Sequence, residues 1–186
     1  SAANNILGVN IFLKDSKNQD KYMIGGNFKA DNQTYQFSLD PQKLLLNYDK
    51  WQVAPDNLIQ YGKAGIYVRN FDIRSNGQSL AVNSASTAPN SPIKVAFNNF
   101  RLETLTRYAE QDTSLVGGAL NGTVDVTNLT ETPGFEADLT INKLRYQKDE
   151  LGDVKILADN HTKEAYKVDV TLSGLHDVRA NGYYYT

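Results

Sequence analysis

The sequence predicts an all-β fold, a curved and mostly antiparallel sheet with one apolar face, and three observations carry that expectation. Apolar and polar residues alternate with period two along most of the chain, the breaks between these stretches are short and rich in turn residues, and a single segment has helical spacing.

The alternation is clearest from Gly118 to Tyr146. One arm reads Gly-Ala-Leu-Asn-Gly-Thr-Val-Asp-Val, and after a break at Thr130 to Gly134 the other reads Phe-Glu-Ala-Asp-Leu-Thr-Ile-Asn-Lys-Leu-Arg-Tyr. Successive side chains of a strand point to opposite faces, so each arm offers one apolar and one wet edge. The same pattern recurs in Val9/Ile11/Leu13, Tyr35/Phe37/Leu39, Ile66/Val68, Ile93/Val95/Phe97, Val154/Ile156/Ala158 and Tyr166/Val168/Val170/Leu172. One long sheet with a single apolar face is the expectation.

The turns fall between these runs. Asp15 to Asp20 reads as a charged hairpin tip, Ala30-Asp-Asn-Gln as a tight turn, and Ser75-Asn-Gly-Gln as a two-residue hairpin, because Asn-Gly tolerates positive φ. Ser84 to Pro92, with two prolines, reads as a surface loop within one domain. Leu102, Leu105, Tyr108 and Ala109 are spaced by three and four or lie beside each other, which predicts one short helix over Leu102 to Glu110 that caps an end of the sheet. Gly26, Gly122 and Gly182 interrupt strand patterns and suggest curvature.

Composition narrows the function. With 186 residues the chain is long enough for one all-β domain, residues 1–186, with a sizeable core, and its 40% hydrophobic and 22% charged residues are those of a folded protein. A net charge of −2 without a Lys/Arg cluster gives no footprint for nucleic acid. There is no cysteine, so disulfides and thiolate metal sites are excluded. His161 and His176 sit in polar, turn-like contexts, and no HExxH or GxSxG motif accompanies them. Acids such as Asp125, Glu136 and Asp138 fall on the polar faces of strands, where carboxylates are ordinarily solvated. Asp15, Asn18 and Asp20 lack the Gly and bidentate Glu of an EF-hand loop. The expectation is a non-enzyme with no catalytic residue, cofactor or metal.

What remains is the apolar face. Period-two parity assigns it Leu120, Val124 and Val126 from one strand, Phe135, Ala137, Leu139 and Ile141 from the next, and Val168, Val170 and Leu172 further on. A sandwich buries such a face against a second sheet, whereas an open groove leaves it available to acyl chains or an amphipathic strand. Residue patterning alone leaves both open. The first residues, Ser-Ala-Ala-Asn-Asn, lack a basic and an apolar leader region, and the pattern Val178/Ala180/Gly182/Tyr184 is still running near Thr186, so the chain reads as an internal fragment.

Several of these pieces, in order, resemble a known family. Gly118-x-Leu-x-Gly-x-Val-x-Val, Pro133-x-Phe-x-Ala-x-Leu-x-Ile-x-x-Leu, Leu151-Gly-x-Val and Tyr166-x-Val-x-Val-x-Leu-Ser-Gly are similar to the repeating phrase of the TamB (translocation and assembly module) family within the wider AsmA-like group. Trp51-x-Val-x-Pro-Asp-Asn-x-Ile and Asn98-Asn-Phe-Arg-Leu-x-x-Leu fit the same pattern, so the resemblance spans most of the chain. It implies an open apolar groove, a β-taco-like trough, as one length of a periplasm-spanning protein anchored in the inner membrane. It also implies cargo and partners: phospholipid or nascent outer-membrane protein such as autotransporters, and a TamA-like outer-membrane barrel met through the longer protein. An isolated length of trough would expose edges and lining, so self-association is expected. The alternative is a closed β-sandwich serving as an adhesion or protein-interaction module.

Overall fold

The structure, a computed structural model, describes residues 5–106, 115–130, 132–162, 165–174 and 177–185. Among them the chain is all-β with one short helix. The strands are β1 (Ile6–Lys14), β2 (Asp20–Asp31), β3 (Thr34–Leu46), β4 (Asp49–Lys50), β5 (Gln52–Val53), β6 (Leu58–Gly62), β7 (Gly65–Arg69), β8 (Phe71–Ser75), β9 (Gln78–Ser84) and β10 (Ile93–Arg101). Helix α1 (Glu103–Thr106) follows, then β11 (Val116–Thr127), β12 (Gly134–Tyr146), β13 (Asp149–Thr162), β14 (Ala165–Gly174) and β15 (Val178–Tyr185).

These strands form two sheets rather than the single sheet that the alternation suggests. The smaller runs β1-β2-β3-β6-β7, with β4 also on β3, and the larger runs β15-β14-β13-β12-β11-β10-β9-β8-β5. Every pairing between them is antiparallel. Neither sheet closes into a barrel. From β8 onward the larger sheet is a plain meander in which each strand pairs with its sequence neighbour, as short connections favour.

The division arises where the chain crosses between sheets. At Trp51 it leaves the smaller sheet: the Trp51 N–H donates to the Leu44 carbonyl of β3 at 2.9 Å, and two residues later Val53 pairs with Ile73 of β8. It returns through Ala54–Asn57, and crosses again at Asn70, between β7 and β8. Asn70 has a φ of 47°, and its N–H donates to the Asn83 Oδ1 at 2.6 Å. At the return crossing Asn57 is 3% exposed; its Oδ1 accepts the Leu39 N–H at 2.7 Å, and its Nδ2 donates to the carbonyls of Leu39 at 3.0 Å and Ala54 at 2.7 Å. Backbone groups that lose their ladder partners at a crossing thus find side-chain amides instead.

Both sheets contribute to the core beside these crossings. Leu39 and Leu44 of β3, Trp51, Val53, Ile73 and Phe100 form the buried cluster. The Trp51 and Phe100 rings lie 5.7 Å apart, and Phe97 meets Phe100 edge-on at 5.9 Å. Trp51 sits at the junction of the two sheets, 3% exposed, with its N–H on β3 and its ring against Phe100 of the larger sheet. Helix α1 sits at one end of this core: the Tyr22 hydroxyl donates to the Thr104 carbonyl at 3.5 Å, and buried Gln78 accepts the Arg101 N–H at 3.0 Å. The expected helix over Leu102 to Glu110 is therefore seen as Glu103–Thr106, and Tyr108 and Ala109 lie outside the described residues.

The turns follow their residues. Asn76 and Gly77 take φ of 48° and 75° between paired Ser75 and Gln78, and Asn32 and Gln33 take 44° and 65° between Asp31 and Thr34. At the β1–β2 tip the Asp15 carboxylate accepts the N–H groups of Gln19 and Lys17, each at 2.9 Å, and the Tyr48 hydroxyl at 2.8 Å. The Gln19 N–H foremost, then the Tyr48 hydroxyl, hold its pKa below the ordinary carboxylate value. A depressed folded-state pKa contributes stability that is complete above the unfolded value and disappears as pH falls through the folded one. Acidification from pH 5 through the carboxylate range, about 3.9 and below, is expected to loosen this tip. Amide NMR shifts of Lys17 and Gln19 should move together along a titration that Asp15→Asn abolishes.

Candidate apolar binding face

The register of the larger sheet places the residues of the predicted apolar set on one face. Val126 lies between Ile93 and Phe135, Val124 between Val95 and Ala137, and Leu120 between Phe100 and Ile141. Leu139 stands opposite Gly122 and Ile156, while Val168, Val170 and Leu172 stand opposite Ala158, Ile156 and Val154. These pairs join into rows that cross the whole sheet. One row runs Val53, Ile73, Leu80, Phe97, Gly122, Leu139, Ile156, Val170, Ala180, from β5 to β15.

Along each row the environment changes. At the β5 end Ile73 is 6% exposed, and in a neighbouring row Phe100 is 2% exposed. At the β15 end Val178 reaches 52% and Tyr184 68%, with Val168 of β14 at 38%. Between these limits Ala137 is buried, Leu120 packs against the core cluster, and Leu139, Ile141, Val170 and Leu172 are half-buried. The smaller sheet behaves alike. Val9, Ile11 and Leu13 of β1 continue the rows of core-facing Leu39, Leu44 and Leu46, yet Ile11 is 57% exposed. Apolar faces that meet beside the crossings are thus open to solvent at β1 and β15.

Two features of this face escape a parity reading. Bulges displace the register between Phe97 and Phe100 in β10 and between Ile141 and Leu144 in β12, the second lying opposite Gly118 of β11. Each adds a residue, so apolar positions three apart still share a face. The freed N–H of Asn99 (φ 48°) donates to Asn121 Oδ1 and that of Lys143 (φ 51°) to Asp153 Oδ1, both at 2.7 Å. Asn98-Asn99 and Gly117-Gly118 inside strand patterns are the signal that could have found them. Secondly, Phe135, Tyr166 and Tyr184 form an aromatic run with ring separations of 5.7 and 6.1 Å towards the open edge.

Gly122 shows why a strand residue here must be small. Its φ is 116°, and a Cβ would fall on the backbone carbonyl oxygen of Asp138. Gly26 also meets close neighbours, whereas Gly182 has open space around it and no positive φ.

Charge is kept to the opposite face. Lys94 pairs with Asp125 at 3.6 Å, Lys167 with Asp169 at 3.0 Å, and Lys155 with Asp138. The outer surface also carries a polar depression lined by Lys50, Gln52, Arg74 and Asn98. Among the described residues no group of three or more His, Cys, Asp or Glu is placed to hold a metal ion. The side chain of His161 and the whole of His176 lie outside the described residues. What the geometry offers chemically is an apolar strip with no charge along its rows, able to exchange apolar surface with a ligand at about 25 cal/mol per Å². Comparison with protein-family models, with curated proteins and with solved structures returned no significant match.

Proposed function

We propose that this chain is a non-enzymatic segment of a TamB-like envelope protein, and that its apolar face takes up the acyl chains of phospholipid or an apolar strand of a nascent outer-membrane protein. The observation that carries the reading is the gradient along the rows: each sheet has an apolar face that is sealed beside the crossings and accessible at its far edge, β15 in the larger sheet and β1 in the smaller. Burial reaches Ala137 of β12 and Val154 of β13, and beyond them the rows continue with apolar residues that solvent reaches. In this reading the face is one length of a groove in the bacterial periplasm, the longer protein is anchored in the inner membrane, and a TamA-like barrel is its outer-membrane partner. Hydrophobic transfer supports cargo of this kind, since half-exposed apolar side chains gain by covering and no charged group need be desolvated.

The buried cluster shared by both sheets favours a second reading, a β-sandwich used for adhesion or protein interaction. A photo-crosslinking side chain separates the two. Placed at Leu139 it is expected to capture phospholipid from vesicles, or a client protein in cell envelopes, whereas at Thr140, on the opposite face, it should capture neither. Equal labelling at both positions would reject the groove.

A further inference from the structure

We propose that the depression beside the β8–β9 turn, on the outer face of the larger sheet, is a binding site for a phosphate group, with Arg74 at its centre. It lies on the face opposite the apolar rows and does not depend on what those rows carry. Five strands supply its side chains: Lys50 of β4, Gln52 of β5, Arg74 of β8, Ser79 of β9 and Asn98 of β10.

The register gathers these residues. Gln52 stands opposite Arg74, Arg74 opposite Ser79, and Ser79 opposite Asn98. Residues directly opposed across strands share a face with Cβ atoms about 5 Å apart, so Gln52 and Ser79 flank Arg74. Their neighbours Val53, Ile73 and Leu80 belong to the core cluster, which turns this row outwards. Lys50 is held beside the row by the turn: Ser75 Oγ donates to the Lys50 carbonyl at 2.8 Å, and Asn76 Nδ2 to Asp49 Oδ1 at 3.1 Å.

Charge gives the depression its chemistry. No carboxylate lines it, whereas two further polar depressions hold Asp49, Glu103 and Glu150, or Asp125 and Glu136. Lys94, Lys155 and Lys167 on the same outer face are each paired with an aspartate, but no ion pair among the described residues takes up Lys50 or Arg74. The side chains of Gln52, Ser79 and Asn98 are likewise without a hydrogen-bond partner among the described residues. Donors from five strands thus border one space that holds two uncompensated positive charges. A guanidinium fork grips two oxygens of a tetrahedral oxyanion at once, and an ammonium, an amide and a hydroxyl can meet the rest. A carboxylate has only two oxygens and would leave donors unused. At about 600 Å³ the depression has the size of a ligand cleft, so the phosphate can carry an organic substituent towards Asn98. A soluble phosphoester and an anionic lipid headgroup share this chemistry.

An NMR titration of the 186-residue chain with inorganic phosphate, against sodium chloride at matched ionic strength, tests this. Phosphate is expected to shift the Gln52 side-chain amide and the backbone amides of Arg74 and Ser79 along a saturating curve that chloride does not reproduce. Arg74→Gln should weaken the response at least tenfold, and Lys50→Gln should weaken it to a smaller extent. Lys63→Gln, an equal change of charge at the exposed β6–β7 turn, should leave it within twofold. Flotation with vesicles separates the two sources. A headgroup ligand requires phosphatidylglycerol vesicles to retain more chain than phosphatidylcholine vesicles, by a margin that Arg74→Gln removes and Lys63→Gln keeps. A soluble phosphoester requires the phosphate response without that margin. Shifts that chloride reproduces, responses that Arg74→Gln and Lys63→Gln change equally, or no response to phosphate or to phosphatidylglycerol would overturn the proposal.

Discussion

Asn57→Ala is expected to lower the melting temperature by roughly 10 °C or more, the consequence of about 3–5 kcal/mol lost at one buried amide. The side chain satisfies both the N–H and the C=O of Leu39, together with the Ala54 carbonyl, where the chain returns to the smaller sheet. Alanine leaves the Leu39 N–H and C=O without this partner at a site almost closed to water, while the Ala54 carbonyl keeps the backbone N–H of residue 57 at 3.2 Å, and each orphaned group costs about 1–3 kcal/mol. Aspartate does not rescue: it can accept from Leu39 N–H but cannot donate to the two carbonyls. A half-buried amide provides the control. Gln36 Nε2 donates to Gln60 Oε1 at 3.0 Å on the outer face, and Gln36→Ala should cost under about 1 kcal/mol, because water replaces the lost partner. If thermal unfolding of the two alanine variants coincides, the Asn57 network does not hold the sheets together.

Asn57 also marks a limit of what the sequence displays. Pro55-Asp56-Asn57 reads as ordinary turn punctuation, and nothing in those residues separates a solvated turn amide from one buried under β3. The same holds for Trp51: β4 and β5 have two residues each, too few for any period to be seen, so the passage between sheets is hidden and the alternation reads as one sheet. From β11 to β14 the position is reversed. Long runs with strict parity and short connections fix the facing residues and the neighbour relations together, and the register places Leu120, Val124, Val126 and their partners on one side. Parity is lost only at bulges, where Ile141 and Leu144 stay on one face although three apart. Face membership was therefore legible, while exposure along that face was not, because exposure depends on where the second sheet ends.

That dependence can be tested with one substitution made at two places in the same row. Ile73→Asp is expected to abolish folding at neutral pH. Ile73 is 6% exposed within the cluster of Trp51, Val53 and Phe100, where an unpaired carboxylate costs several kcal/mol and a cavity term adds to it. Leu139, four strands further along the row, is half-buried beside Gly122 and Ile156, so water can reach the new carboxylate. Leu139→Asp should remain folded, with a loss of about 1–2 kcal/mol. Its effect should appear in binding instead: a charge set among acyl chains is desolvated on loading, so capture of phospholipid by a photo-crosslinker at Ile156 should fall at least tenfold. The two readings of the fold part here. Under a groove, thermal unfolding separates the variants and lipid capture fails in the folded Leu139→Asp chain. In a sandwich whose sealed interior continues across β12, Leu139→Asp collapses as Ile73→Asp does, and the transport reading falls with it.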